Sequence, residues 1–458
     1  MRQPIFQDQT GKRWRRIKTI FFSSLLVIGA ILSIDVLNHY QIIDVQMISN
    51  VNSSIFLIIK KMFIYYLIFA LIIGVLRLLI LFYFSFRHWR KYKRGKKLDF
   101  DNQRLTVTVV IPASNEEVVI RKTVEAVLRS NYPIEEILVI DDGSKDFTAA
   151  RVKQNFSDEP KVKLIRKKNG GKASALNIGF QKAVGDIVIT IDADTVVRQT
   201  TIFHLVSHFG NPKIAAVSGN CKIGNIKNQL TLWQHIEYVT ANNLEKRALH
   251  ELDCITVVPG SNSAWRKQVV EEAGFFHNDT LAEDTDLTLR ILNAGYRIVF
   301  DAEAISYEEC PETAQEFLKQ RFRWSYGIVQ SLWKNRWEII KSENKKLKYF
   351  AIPSMLFSYL LYLTSPIIDV LFIIALVLGV KSIYIYVLFF YLIDFLSSFY
   401  AFKLERENLK PLRWVIVQRI AYRYLIAYVT WKSFIVVLKG NGVGWVKSNR
   451  SGNNNYPL

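Results

Sequence analysis

Residues 105–117 read LTVTVVIPASNEE. The β-branched run is of the kind that forms a parallel strand buried on both faces, and it stops at a proline and a cluster of polar residues. A helical stretch follows from Val118 to Ser130, broken by Tyr132-Pro133, and IEEILVIDDGSKD then supplies a second apolar run ending in acids and Gly143. Strand, helix and strand recur through VKLIRKKNGGKASALNIGF and DIVITIDADT. This alternation predicts an α/β, doubly wound (Rossmann-like) sheet, whose ligands bind beyond the carboxyl ends of the strands. The chemistry is therefore expected at Pro112–Glu116, Asp141–Ser144 and Asp192–Thr195, where the polar clusters lie.

Outside this section the chain changes character. It has 458 residues, too many for one ordinary domain of about 150. It is 50% hydrophobic and 22% charged, which excludes a disordered or low-complexity chain. The net charge of +20 suggests nucleic-acid binding until it is divided along the chain. Residues 1–104 carry +12, residues 105–345 carry −1 and residues 346–458 carry +9. The excess lies beside hydrophobic segments around a neutral middle, so no nucleic-acid partner is expected.

Ile20 to Val36 is almost uninterrupted apolar sequence preceded by Lys12, Arg13, Arg15, Arg16 and Lys18. A second run, Met62 to Phe84, is broken only by Arg77 and followed by seven cations between Arg87 and Lys97. Each approaches the roughly 20 residues of a spanning helix. The intervening loop, His39 to Ser54, has no Lys or Arg, so the positive-inside rule puts the N-terminus and everything after Phe86 in the cytoplasm. A cleaved signal peptide is the other reading of the first run, but no small-residue cleavage site follows it and a second span favours an anchored hairpin. Three further runs are Phe350–Val380, Ile383–Phe402 and Trp414–Leu438. The last contains Arg419, Arg423 and Lys432, so an interfacial amphipathic helix competes with a span. The first of the three has room for an interfacial helix ending near Pro366, and the number of C-terminal spans stays open. The division expected is 1–97 (membrane hairpin with basic flanks), 98–345 (cytoplasmic catalytic domain) and 346–458 (membrane or interfacial helices and a cytoplasmic tail). Cys221, Cys254 and Cys310 show no CxxC or paired spacing, as expected of reduced core cysteines.

Five short segments carry candidate chemistry. Asp192-Ala193-Asp194 ends an apolar strand, where the bending chain lets two carboxylates converge on one cation, and hard oxygen ligands suit Mg²⁺ or Mn²⁺ bridging to a diphosphate. In Asp141-Asp142-Gly143-Ser144 one of the two carboxylates is suited to accept the imide N–H of a uracil, although such a sequence also makes Asx turns and helix caps. Asn169-Gly170-Gly171-Lys172 precedes a helix and offers backbone N–H groups and a lysine to phosphate oxygens, but is not a P-loop. Glu283-Asp284 opens a helical segment; a carboxylate there suits a general base, while Asp286 complements the helix dipole. In Gln320-Arg321-Phe322-Arg323-Trp324, Arg323 suits the charge of a leaving diphosphate and Trp324 the apolar face of a sugar. The competing reading of that segment is an interfacial helix with Arg and Trp at headgroup level.

Together and in this order, VVIPASNEE, VIDDGS, DAD, ED and QxxRW resemble a processive, membrane-embedded, inverting family 2 glycosyltransferase, the superfamily of cellulose, chitin, hyaluronan and poly-N-acetylglucosamine synthases. The resemblance runs from about Thr106 to Gly327. It implies a GT-A fold, a nucleotide diphosphate sugar as donor, usually a UDP-sugar, and Mg²⁺ or Mn²⁺. It places Pro112, Asn115, Glu116, Asp142, Lys172 and Asp192 at the nucleotide sugar, and Asp194, with Asp192, at the metal. Asp284 becomes the base, beside Glu283, with Gln320, Arg323 and Trp324 closing over acceptor and diphosphate. Ala282 stands where cellulose and poly-N-acetylglucosamine synthases commonly have Thr. GGKASALNIGF, the Cys310–Thr313 segment CPET and, more loosely, the Gly444–Arg450 tail resemble poly-β-1,6-N-acetylglucosamine synthases most.

The resemblance further implies UDP-GlcNAc as donor, a growing polysaccharide as acceptor, a multi-pass plasma-membrane location and export of a β-linked exopolymer of the biofilm type. A small membrane accessory subunit is a possible partner. The alternatives are a hyaluronan-, chitin- or cellulose-type synthase with another UDP-sugar, a non-processive transferase acting on a polyprenyl phosphate, and a non-catalytic receptor. The last predicts lost acids, yet Asp142, Asp192, Asp194 and Asp284 are present.

Overall fold

A computed structural model describes residues 49–93, 105–377 and 382–439, together with Gly452. The Ile20–Val36 run and the Gly444–Arg450 tail lie outside the described residues.

Eight strands form one mixed sheet in the order β3-β2-β1-β4-β7-β6-β8-β5. They are β1 (Val107–Ala113), β2 (Glu136–Asp141), β3 (Val162–Arg166), β4 (Ile187–Ile191), β5 (Val196–Val197), β6 (Ile214–Ile223), β7 (Asn262–Arg266) and β8 (Arg297–Glu308). The first four are parallel, β1 lying between β2 and β4. Every residue of β2 and β4, and all of β1 except Pro112, is buried, which is why these strands read as continuous apolar runs. The chain adds β2 and β3 on one side of β1 and then crosses to place β4 on the other. That reversal is the topological switch beside which open α/β sheets bind ligands.

Beyond β4 the sheet becomes mixed. β7 runs antiparallel to both β4 and β6, β8 is parallel to β6, and β5 pairs antiparallel with β8. Helices Ile120–Leu128 and Lys172–Lys182 fall where the sequence predicts them, and a further helix, Thr148–Phe156, joins β2 to β3. The helix Lys172–Lys182 presses on β1 so closely that a Cβ on Gly179 would lie 2.4 Å from Val110 Cγ1, so a glycine there fixes the height of the helix over the sheet.

The helix Ser49–Lys93 ends on Arg90, Lys91 and Lys93. It begins inside the segment His39–Ser54 that the charge pattern assigns to a loop, because Ser49 to Ser54 carry no helix breaker. Three described helices are long and apolar enough to cross a membrane: Ile72–Lys93, Leu347–Val370 and Lys410–Lys439. Pro366 does not end a helix, for Ile352–Val377 continues through it. The proline removes the N–H that Tyr362 carbonyl would have accepted, and the Ser365 hydroxyl donates to that carbonyl instead, at 3.2 Å. In the last helix Arg419 Nε donates to Asp394 of the helix Ser382–Glu405 at 2.6 Å, and Arg423 pairs with Asp369 of Ile352–Val377. These two cations, one turn apart, are turned toward acids of neighbouring helices rather than toward headgroups. Glu405, ending Ser382–Glu405, reaches the sheet: it accepts Arg247 Nε at 2.9 Å and Asn220 Nδ2 at 2.8 Å, while Lys222 holds Glu407 at 2.6 Å. All three cysteines are buried and none is in a disulfide.

Candidate active site

The carboxyl ends of β1, β2 and β4 lead into the three predicted polar clusters. After β2 the two aspartates divide their work. Asp141 makes the Asx turn, accepting Ser144 N at 2.9 Å, and pairs with Arg166 at 3.1 Å. Asp142 is buried and accepts the backbone N–H groups of Gly170 (2.9 Å) and Gly171 (2.8 Å), with Lys167 also on its carboxylate. It thus ties β2 to the glycine loop that carries Lys172. Asn115 stands at a φ of 54°, and its side chain accepts Lys145 N at 2.7 Å while its own N–H donates to Ser144 Oγ at 2.9 Å. Glu116 N donates to Thr148 Oγ1 at 2.7 Å. These contacts clamp the loop after β1 to the loop after β2, and Pro112 stands in β1 opposite Ile140.

Lys172 opens its helix and its ammonium pairs with Asp192. Enclosure disfavours its charge, yet Asp192, then Glu283 and Asp284, hold its pKa above the ordinary lysine value. The acids of two distant segments are therefore gathered around one lysine. Glu283 is shifted upward by its enclosure and by Asp284, beyond what Lys172 and Arg323 pull back. Asp284 accepts Thr285 N at 2.7 Å and Thr285 Oγ1 at 3.3 Å, both on Oδ1, in the first turn of the helix Glu283–Asn293. Asp286, expected to serve the helix dipole, does more: it meets Arg290 at 3.0 Å, Lys334 at 3.1 Å, His277 at 3.2 Å and Asn335 at 2.9 Å. Its burial works upward, but these partners hold its carboxyl well below the usual range.

Gln320, Arg323 and Trp324 lie on the helix Ala314–Lys334, capped by Thr313. Gln320 is buried and its Oε1 has no hydrogen-bond partner within the chain. Trp324 packs on Cys221, Ile223, Tyr238 and Cys310. The structure thus brings together Lys172, Asp192, Glu283, Asp284 and Arg323, with Asp142 linked to Lys172 only through the Gly170–Gly171 backbone. Asp194 is buried beside Thr195. Among the described residues no group of three or more His, Cys, Asp or Glu side chains gathers to hold a metal. Asp192 and Asp194 alone supply hard oxygens after β4, a donor set that fits a cation completed by phosphate oxygens and water.

Sequence reading missed Lys246. It is half-buried on the helix Leu244–Glu251, and burial lowers its pKa against the pull of Cys221, Glu308 and Asp284. It missed Arg321 as well, whose place inside QxxRW was the available signal; it is buried and paired with Glu237 at 2.5 Å.

The sheet, with its acids at the β1/β4 switch, defines a GT-A glycosyltransferase. A mannosyltransferase of Pyrobaculum calidifontis, solved with GDP-Man and Mn²⁺, shares the fold: TM-score 0.56, 21% identity, covering 80% of this chain and 97% of that one. The profile of "Glycosyl transferase family 2" matches residues 108–274. A probable glycosyltransferase of Bacillus subtilis, YdaM, is 30% identical over 362 residues, 75% of this chain and 86% of its own length. Poly-β-1,6-N-acetyl-D-glucosamine synthase of Staphylococcus aureus is 30% identical over 286 residues, 61% of this chain and 69% of its own. The chain belongs to glycosyltransferase family 2, and it is an enzyme of that family.

Proposed function

We propose that this enzyme is an inverting, processive hexosyltransferase that polymerises GlcNAc from UDP-GlcNAc into a β-linked polysaccharide and passes it across the membrane. The observation that carries the reading is the packing of the Ala314–Lys334 helix on the segment Leu281-Ala282, which sets Arg323 beside Glu283-Asp284. The similarity to a poly-β-1,6-N-acetyl-D-glucosamine synthase supports the choice of sugar. The division into 1–97, 98–345 and 346–458 belongs to the same reading, with the middle section in the cytoplasm and the three apolar helices in the plasma membrane.

In this mechanism Asp142 and the loop after β1, with Pro112, Asn115 and Glu116, bind the nucleotide. Asp192 and Asp194 hold Mg²⁺ or Mn²⁺, which when bound supplies positive charge to the diphosphate. Asp284 takes the acceptor's hydroxyl proton on Oδ2, since both internal contacts fall on Oδ1. The acceptor oxygen bonds to the anomeric carbon as the bond to the diphosphate oxygen breaks, and UDP leaves with the electron pair. Lys172 and Arg323 offset the charge on that oxygen. Gln320 and Trp324 hold the acceptor sugar.

The test is incubation of membranes containing the protein with single UDP-sugars and Mg²⁺ or Mn²⁺, alongside Asp284→Asn. UDP release and polymer size are both measured. Polymer from UDP-GlcNAc, reduced at least about 100-fold in the variant, is expected. Polymer from another UDP-sugar overturns the substrate. A single sugar on an organic-soluble lipid overturns processivity. Polymer confined to the nucleotide side of sealed vesicles overturns export.

A further inference from the structure

Arg321 occupies the variable second place of the Gln320–Trp324 motif, yet it is buried and held by several partners. Its Nη2 donates to Glu237 Oε2 at 2.5 Å and to the Tyr422 hydroxyl oxygen at 3.2 Å. Tyr422 in turn donates to the same Glu237 oxygen at 2.5 Å, closing a three-membered ring of hydrogen bonds. The guanidinium carbon lies 4.3 Å from the centroid of the Trp324 indole and 5.1 Å from that of Phe317. A cation held so close to an aromatic face restricts where that face can turn. The three residues come from three places: the end of the helix Gln229–Glu237, the motif helix, and the helix Val415–Lys439 within the apolar segment Lys410–Lys439. Glu237 also borders the π-helical turn Tyr238–Asn243, whose Tyr238 packs on Trp324. Phe317 lies 5.1 Å and Trp233 6.5 Å from the Tyr422 ring, so the ring is fixed by packing and its hydroxyl is free to act only in the network.

We propose that Tyr422, from an apolar C-terminal helix, is a positioning residue for transfer: with Glu237 it fixes Arg321, and Arg321 fixes the face that Trp324 presents to the acceptor. The proposal rests on the reading of Trp324 as the acceptor platform. Its consequence is that acceptor binding is set partly from within the C-terminal helices, while donor binding, built on Asp142, Lys172 and Asp192, is independent of them.

The experiment uses the full chain in detergent or nanodiscs, with Tyr422→Phe, Trp324→Phe and the double variant. Two rates are read, acceptor-independent hydrolysis of the sugar nucleotide and transfer into product. Tyr422→Phe removes one hydroxyl and keeps the ring. Transfer is expected to fall about tenfold or more, the scale of a hydrogen bond to a charged group, with hydrolysis unchanged within about twofold. The double variant is expected to fall no further than Trp324→Phe alone, since coupled residues are non-additive. Equal loss of hydrolysis and transfer, additive losses, or no loss in Tyr422→Phe would each overturn the proposal. A separate readout guards against confusion with the assigned reaction. The emission of Trp324, taken as wild type minus Trp324→Phe, should change in Tyr422→Phe whatever product the enzyme makes. An unchanged difference spectrum sinks the positioning role, whereas a changed spectrum with no polymer from any donor sinks only the processive reading.

Discussion

Gly327 and Ala282 touch backbone to backbone: a Cβ on Gly327 would lie 2.6 Å from Ala282 N and 2.8 Å from Ala282 Cβ. The helix of the QxxRW motif therefore sets the position of the residue that precedes Glu283 and Asp284. Gly327→Ala is expected to cost about 1–3 kcal/mol through overpacking. It should also reduce transfer by about 100-fold, because a shift of about 1 Å in a reacting group is enough to do so. Thermal unfolding and transfer rates check both. Ser331→Ala, which removes a 3.3 Å bond to the Ala282 carbonyl and adds no atoms, should be milder on each.

Glu283 gives the enzyme a pH signature. Its carboxyl is raised above the ordinary 4.5 by enclosure and by Asp284. A raised group binds its proton more tightly in the folded chain, so its contribution is present below 4.5 and is lost as pH rises through the folded value. Wild type should therefore lose melting temperature relative to Glu283→Gln as pH climbs above 4.5. Parallel melting curves for the two proteins across that range would contradict this.

Asp286 predicts the opposite sign. Held down by His277, Arg290, Lys334 and Asn335, it contributes stability above the ordinary 3.8 that is lost as pH falls below it. Asp286→Asn removes the ion pairs to Arg290 and Lys334, each of which keeps another partner (Phe275 carbonyl at 2.7 Å and Asp279 at 2.8 Å), and is expected to destabilise by about 1–3 kcal/mol near neutrality. The difference from wild type should shrink in acid, as followed by thermal denaturation at several pH values.

The Lys172–Asp192 pair should matter little for folding and much for binding. The pair is half-buried, its side chains keeping 21% and 30% of their exposure, and screening by the remaining solvent limits it to about 1 kcal/mol. Lys172→Met is expected to leave the melting temperature nearly unchanged while raising the donor KM by about tenfold or more, since a charge-assisted bond to phosphate is lost. Steady-state kinetics on membranes at fixed acceptor would show whether that division holds.

Arg423 and Asp369 form an ion pair between apolar helices. Arg423→Leu alone should destabilise by about 3 kcal/mol by leaving a carboxylate without its partner, and adding Asp369→Leu should recover most of that. Detergent melting of the two variants is the check; equal instability of single and double variants would remove the pair from the account of stability.

The parallel half of the sheet was legible because β1, β2 and β4 are buried on both faces and so spell unbroken apolar runs. The other half hides its strands behind polar letters. Ser218, Asn220, Asn262 and Ser263 are fully buried and only partly bonded: Asn220 and Asn262 donate to the Ala302 and Ala304 carbonyls at 2.8 Å while their Oδ1 atoms have no partner, and Ser263 meets Thr190 at 2.8 Å. No periodicity announces such a strand. At the site, Asp142, Lys172, Asp192 and Asp284 stand out from their places at strand ends and helix starts, whereas Lys246 does not. Nor does Arg321, because its partners Glu237 and Tyr422 stand 84 and 101 residues away.

Glu405 has a mechanical meaning beyond its ion pairs. One carboxylate at the end of the helix Ser382–Glu405 grips Arg247, Asn220 and Lys222, two of them in β6. A helix fastened to a strand by several short bonds at its tip acts as a rigid lever on it. Any displacement of that helix is delivered to β6, and thence to Cys221 and Ile223, against which Trp324 packs. The helix Ser382–Glu405 and the surface beneath Trp324 thereby move as one piece.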